Sequence, residues 1–317
     1  MNFSEFFNEY FNVGDWIASF FDWLDDTFGA FFDWLADAID VVFDGLDWLF
    51  ATPAAWIIMV IVGVFALLAR GWKFATGAVL GLVFIFGVNQ WENAVDTLVL
   101  VIIAAALAIA VAIPLGIWAA RNDKVSRVVK PTMDFLQTLP AFVYLVPALA
   151  LFGIGVTPGI IATFIFSLAP GVRLTELGIR GVDKEVVEAG QAFGATPRRI
   201  LRQIQIPLAM PSIMAGINQV IMLSLSMVVI AGMVGAGGLG GDVTQAITSL
   251  NVGLGFEAGL SVVVLAILLD RFTASFGKGQ GLYGQIARKR HAKREAAEQA
   301  RIDAQQLETA GPRRAGI

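Results

Sequence analysis

The stretch Thr97–Ala120, TLVLVIIAAALAIAVAIPLGIWAA, runs for 24 residues without a charged side chain. Wound as an α-helix at about 1.5 Å per residue it reaches roughly 36 Å, more than a hydrocarbon core of ~30 Å requires. Such a segment sets lipid as the solvent for the chain. Towards the N-terminus two further apolar runs follow the same logic, Ala51–Ala69 and Phe74–Val88. Towards the C-terminus Phe135–Val172 is uncharged for 38 residues, too long for one crossing. Gly153, Gly155, Pro158 and Gly159 read as a turn that divides it in two. Ser212–Val234 and Val252–Leu269 complete the set. The sequence therefore predicts an all-α, polytopic transmembrane helical bundle of about seven spans.

Composition agrees. The 317 residues are 57% hydrophobic and 15% charged, with a mean hydropathy of +0.72; a soluble domain carries about a quarter charged residues. There is no cysteine, which excludes disulfides, thiol catalysis and cysteine-ligated metals. The single histidine, His291, lies in a polar tail, so imidazole chemistry has almost nothing to build on. No catalytic, cofactor-binding or metal site and no nucleic-acid partner is expected.

Charge is strongly segregated. No lysine or arginine precedes Arg70, whereas that stretch holds eleven acids from Glu5 to Asp47. All 22 lysines and arginines fall in Arg70–Lys73, Arg121–Lys130, Arg173–Arg202 and the tail from Arg271. With seven spans these four segments share one side. By the positive-inside tendency that side is cytoplasmic, the C-terminus with it, and the N-terminus is extracytoplasmic in a cell membrane.

The N-terminal arm carries no basic n-region and is not read as a signal peptide. It repeats itself: Phe20-Phe21-Asp22-Trp23-Leu24-Asp25-Asp26 returns eleven residues later as Phe31-Phe32-Asp33-Trp34-Leu35-Ala36-Asp37, with a weaker copy at Val42-Phe43-Asp44. Eleven residues close three helical turns, so Asp22, Asp33 and Asp44 share an azimuth. Two readings fit, an amphipathic helix lying in the membrane interface with its aromatic face down, or a helix packed on a partner subunit.

The acids Asp96, Asp134, Glu176 and Asp270 all fall at expected span ends, which counts against ion-gradient coupling. No glycine-rich loop leads into Lys-Ser/Thr, so the chain supplies no phosphate cradle for ATP. The GxGxxG match at Gly235–Gly240 follows an apolar helix rather than a strand. It reads as a place for sharp bends or close helix contact, not a dinucleotide site.

The segment Val182–Pro211 is distinctive. Asp183–Phe193 reads as a short helix ending at Gly194. Thr196-Pro197 then starts a second one that runs to about Gln205, where Pro207 stops or kinks it. Small Ala189 and Gly190 would let another surface approach closely. From spacing alone the segment is equally a docking element and a basic loop that merely sets topology.

Glu188-Ala189-Gly190, Gly194 and Ile204-Gln205-Ile206-Pro207 resemble the EAA loop of ABC importer permeases, with Gly190 for the third alanine and Ile206 for a leucine. Gln137–Pro147, Leu208–Pro211, Leu225–Ala231 and Gly237–Gly240 are similar to glycine betaine/proline betaine permeases of the betaine/choline/carnitine branch. The resemblance covers about residues 90–276. It implies a MetI-like permease fold and places the ATPase-coupling role on Glu188, Ala189, Gly190, Gly194, Ile204 and Pro207. It also implies two copies of an ABC ATPase subunit that hydrolyses the ATP, a separate extracytoplasmic betaine-binding protein, and a second copy of the chain as a homodimer. The expected units are an acidic arm at 1–50, two N-terminal spans at 51–89, a permease core at 90–276 with its loop at 181–207, and a basic tail at 277–317. Phe142 and Tyr144 are the candidates for the substrate pathway. A permease for another small solute, such as methionine or another amino acid, and a secondary carrier stay open as rivals. The acidic arm is also expected to tune activity to the membrane or to ionic strength, because exposed charges are screened by salt.

Overall fold

The computed structural model describes residues 13–278; residues 1–12, most of the basic tail and His291 lie outside this range. All regular structure among the described residues is helical. In chain order the helices are α1 Val13–Ala51, α2 Ala55–Arg70, α3 Trp72–Gly87, α4 Trp91–Arg121, α5 Asp123–Thr138, α6 Leu145–Phe152, α7 Val156–Arg180, α8 Lys184–Ala192, α9 Pro197–Ile200, α10 Ile206–Ala231, α11 Gly238–Thr248 and α12 Val252–Lys278.

Four of these segments are long and apolar enough to cross a membrane alone: Trp91–Arg121, Val156–Arg180, Pro197–Val234 and Val252–Ser275. Two bent pairs raise the number to six if each is one span, and α3 is a shorter apolar helix, so length and composition give four to six spans where seven were expected. The first N-terminal span is shorter than the expected Ala51–Ala69, and the second is close to the expected Phe74–Val88. Helices α2 and α3 have 16 residues each, about 24 Å, joined at Gly71.

The largest departure falls in the fourth span. Its apolar run is not one helix. Amphipathic α5 ends at Thr138, Leu139 and Pro140 are extended, a 3₁₀ turn covers Ala141–Tyr144, and α6 leaves at 110° to α5. Proline disfavours helical backbone at the residue before it. Leu139, at φ −72° and ψ 135°, shows that constraint.

Helices α4, α7 and α10 form the centre. A Cβ at Gly116 of α4 would lie 2.6 Å from the Thr175 Cβ of α7, and one at Gly171 would lie 2.8 Å from the Ala112 Cβ. In lipid the hydrophobic drive between helices is lost, and close packing of small residues does much of the holding. Val99, Leu100, Ile160, Met227 and Val228 fill the space between these helices.

Helix α1 meets α2 at 91°, and the chain turns through Thr52-Pro53. It has three faces. Leu35, Ile39, Phe43, Leu46 and Phe50 pack on the α4–α7 core, Phe32 meets Phe152 edge to face, and Asp40 accepts a 2.7 Å hydrogen bond from Thr157. Phe20, Trp23, Phe31, Trp34 and Trp48 are exposed on a second face. Asp22, Asp33 and Asp44, also exposed, share the third. The eleven-residue repeat thus keeps its azimuth, and the inward face belongs to the chain itself rather than to a partner.

Candidate functional site

The segment between α7 and α10 is rooted in apolar contacts and presents an exposed tip. At the root, Ile179, Leu201, Ala209 and Ile213 cluster with Val182, Ile206 and Ile217. At the tip, α8 has no buried residue, and its Asp183 caps the N-terminus by accepting from the Glu185 amide at 2.9 Å.

The bend after α8 is a Schellman turn. The Ala195 amide reaches the Gly190 carbonyl at 3.1 Å, and the Gly194 amide reaches that of Gln191 at 2.8 Å. Gly194 stands at φ +78°, where a side chain would be strained, and nothing else crowds it. The Gly190 position has a different reason. A Cβ there would come within 2.7 Å of Ile204 Cδ1, so α8 folds back on the next turn through two residues of the same motif. The neighbour that approaches Gly190 is therefore this chain's own Ile204, while Ala189 and Glu188 face outward and are exposed. Glu188 makes no hydrogen bond or ion pair among the described residues.

The second helix does not stop at Pro207. Pro197–Ile200 passes through a π turn at Leu201–Gln205 directly into α10, with Pro207 in the first turn of that helix. Proline has no N–H to give to the preceding turn, and the widened π turn lies immediately before it, so the helix continues past Pro207 with a local change of winding rather than a stop. Arg198, Arg199 and Arg202 line the exposed side of this segment.

Phe193 escaped the sequence reading. It is 92% exposed, beside the turn glycine. An apolar residue at a helix C-cap with no apolar partner in the next turn was the signal available.

Of the two aromatic pathway candidates, Phe142 is exposed. Tyr144 is buried, its hydroxyl donates to the Leu136 carbonyl and its ring meets Phe166 at 5.7 Å. One acid is not where the apolar runs put it. Asp270 lies eight residues before the end of α12 and accepts from Asn218 Nδ2 at 3.2 Å, midway along α10. The apolar run ends near Leu269, whereas the helix continues to Lys278.

The glycine cluster bends the chain, as its composition suggested. Gly235, Gly237 and Gly238 all have positive φ, and α11 starts at Gly238. The Thr97 hydroxyl holds this start, accepting from the Leu239 amide at 2.9 Å and donating to the Asn93 carbonyl at 2.7 Å. Gln90 and Asn93 both donate to Asp242 Oδ2, at 2.7 and 2.8 Å.

Between two of its long apolar helices the chain thus carries a segment rooted in apolar contacts with an exposed tip. Residues 112–280 match the family described as binding-protein-dependent transport system inner membrane component. The chain belongs to this family, and it is the multi-pass permease subunit of an ABC importer. It is 46% identical over 236 residues to the glycine betaine/carnitine transport permease protein GbuB of Listeria monocytogenes, covering 73% of this chain and 84% of that one. It is 40% identical to the glycine betaine/proline betaine transport system permease protein ProW of Escherichia coli, covering 85% of this chain and 79% of the other. Among solved structures it resembles an inward-facing MetNI methionine ABC transporter chain with a TM-score of 0.56, at 20% identity and over 60% of this chain and 95% of that chain.

Proposed function

We propose that this chain forms the translocation path of an ATP-driven importer for glycine betaine- and proline betaine-type osmoprotectants. The named transport activities of its relatives support the cargo class. The single observation that carries the energy-coupling part is the exposed α8 tip. Its acid, Glu188, and its aromatic, Phe193, have no covering element among the described residues, while the Gly194 turn and the Gly190–Ile204 contact hold them in one shape. On this reading Glu188, Ala189, Gly190, Gly194, Ile204 and Pro207 present the loop to an ABC ATPase. Two chains and two ATPase copies make the transporter, fed by a separate betaine-binding protein. The cations then face the cytoplasm, the N-terminus lies outside, and α1 rests on the bilayer surface with its tryptophan face towards lipid. The working units are the arm 1–50, the helix pair 51–89, the core 90–276 and the tail 277–317.

The test is reconstitution with the partner ATPase and binding protein, followed by a solute screen. Betaines should stimulate hydrolysis and enter the vesicles; stimulation by methionine alone would reassign the cargo. Gly194→Val should lower uptake by at least about tenfold, since a β-branched residue at positive φ distorts the turn. Wild-type uptake in that variant refutes the coupling loop.

A further inference from the structure

Helix α7 ends at Arg180, and only Gly181, Val182 and Asp183 separate it from α8. Any displacement of the loop reaches α7 first. Along the side of α7 that faces α5, charged residues recur at 173, 176 and 180, the i, i+3, i+7 spacing of one helical face. Each meets a partner on antiparallel α5. Arg173 pairs with Asp134 and donates to Gln137 Oε1 at 2.9 Å. Glu176 Oε1 accepts from the Ser126 hydroxyl at 2.7 Å and pairs with Lys130 Nζ at 3.4 Å and Arg180 Nε at 2.9 Å. Arg180 Nη2 in turn reaches Asp123 Oδ1 and the Ala119 carbonyl, both at 2.8 Å.

The three rungs differ in burial. The Glu176 side chain is 4% exposed, whereas Arg173 and Asp134 are 42% and 54% exposed. A cavity of about 310 Å³ opens beside the ladder, lined by Lys130, Asp134, Arg173, Glu176, Arg180 and Leu177. Solvent therefore screens the outer rungs and not the central carboxylate. A buried carboxylate satisfied by three donors from two helices fixes a relative position, because every sliding of α5 along α7 strips it of partners. The far end of α5 leads into the Leu139-Pro140 bend and the 3₁₀ turn that carries Phe142.

We propose that Glu176 is a positioning residue that locks α5 to α7, so that motion of the coupling loop is carried along α5 to the Pro140 bend. The proposal rests on the coupling-loop reading above. Replacing Glu176 leaves the loop, and hence its ATPase contact, intact while freeing α5.

The measurement is solute imported per ATP hydrolysed, in proteoliposomes holding the complete transporter. In Glu176→Gln this ratio should fall about tenfold, within the range of coupling free energies between sites, while hydrolysis stays within about twofold of wild type. A parallel loss of uptake and hydrolysis, or no change in the ratio, overturns the assignment. A second variant set covers the case in which Glu176→Gln does not fold. Arg173→Asp should lower the same ratio, and the exchange Arg173→Asp with Asp134→Arg should restore it. An exchange no better than the single variant overturns the proposal. Gly194→Val in the same assay separates the two readings. Intact uptake there rejects the coupling loop, whereas the ladder stands or falls on the ratio alone.

Discussion

Helix α7 meets its neighbours in two opposite ways. Towards α4 and α10 it presents Gly171, Thr175 and Gly178, all buried, against Gly116, Ala112, Val220 and Ser212. Towards α5 it presents Arg173, Glu176 and Arg180. The first contact is a fit of shapes. Backbones come close, nothing directional is exchanged, and the helices have one way to sit. The second is a set of directional bonds around the buried Glu176 carboxylate, which sets the position of α5 by charge and hydrogen bonding. One helix thus carries a face fixed by shape and a face held by polar pairing, and the polar face joins it to the helix that bends.

This contrast breaks if the fixed face tolerates bulk. Gly116→Leu should cost about 3 kcal/mol, the upper end of overpacking, because the new side chain meets the Thr175 Cβ and the Val172 carbonyl rather than a flexible tip. Thermal unfolding in detergent reads this as a large fall in midpoint; a wild-type midpoint would show that α4 and α7 are not packed as described. Next comes Glu176→Gln, which should cost about 1–2 kcal/mol, because the partners Arg180 and Lys130 keep partial access to water and are not left fully buried. The stability loss here should be smaller than at Gly116, while transport per ATP falls about tenfold. Arg180→Lys sharpens the point further. An ammonium replaces the guanidinium fork that reaches Glu176, Asp123 and Ala119 together, so about 1 kcal/mol is expected and lysine should not rescue transport fully. Smallest is Asp134→Asn, at about 0–1 kcal/mol for an exposed pair, an effect that 1 M salt should remove.

How much of this was legible depends on whether an interaction is local. The spans α4, α7, α10 and α12 followed from apolar length, which is a property of one segment. The Gly194 turn also lay in a short stretch and formed, while Asp183, read as the first helical residue, stands one place before the helix as its cap. The break at Leu139-Pro140 was written in the sequence too, but a hydropathy count does not register φ and ψ, so a bend was taken for a crossing. The repeat in α1 correctly set Asp22, Asp33 and Asp44 on one side. It did not distinguish Phe31, which is exposed, from Phe32, which turns inward to Phe152, because both are apolar and only tertiary contact separates them. The ladder was invisible for the same reason. Ser126 and Glu176 stand 50 residues apart, and a span-end acid looks alike whether it faces water or three donors. In the loop, the glycine at 190 read as room for a partner, and Ile204 had already taken it.

The π turn at Leu201–Gln205 has an arithmetic consequence. Each π turn holds one residue more than the α-helix on either side, so it acts as a one-residue insertion that keeps the helix axis and turns everything beyond it by about 100°. Pro197–Ile200 and α10 are therefore one rod with two angular settings. The arginines upstream point to open space at a phase that the apolar helix downstream does not share. Deleting a single residue here would leave the rod almost as long as before and re-aim its two halves against each other.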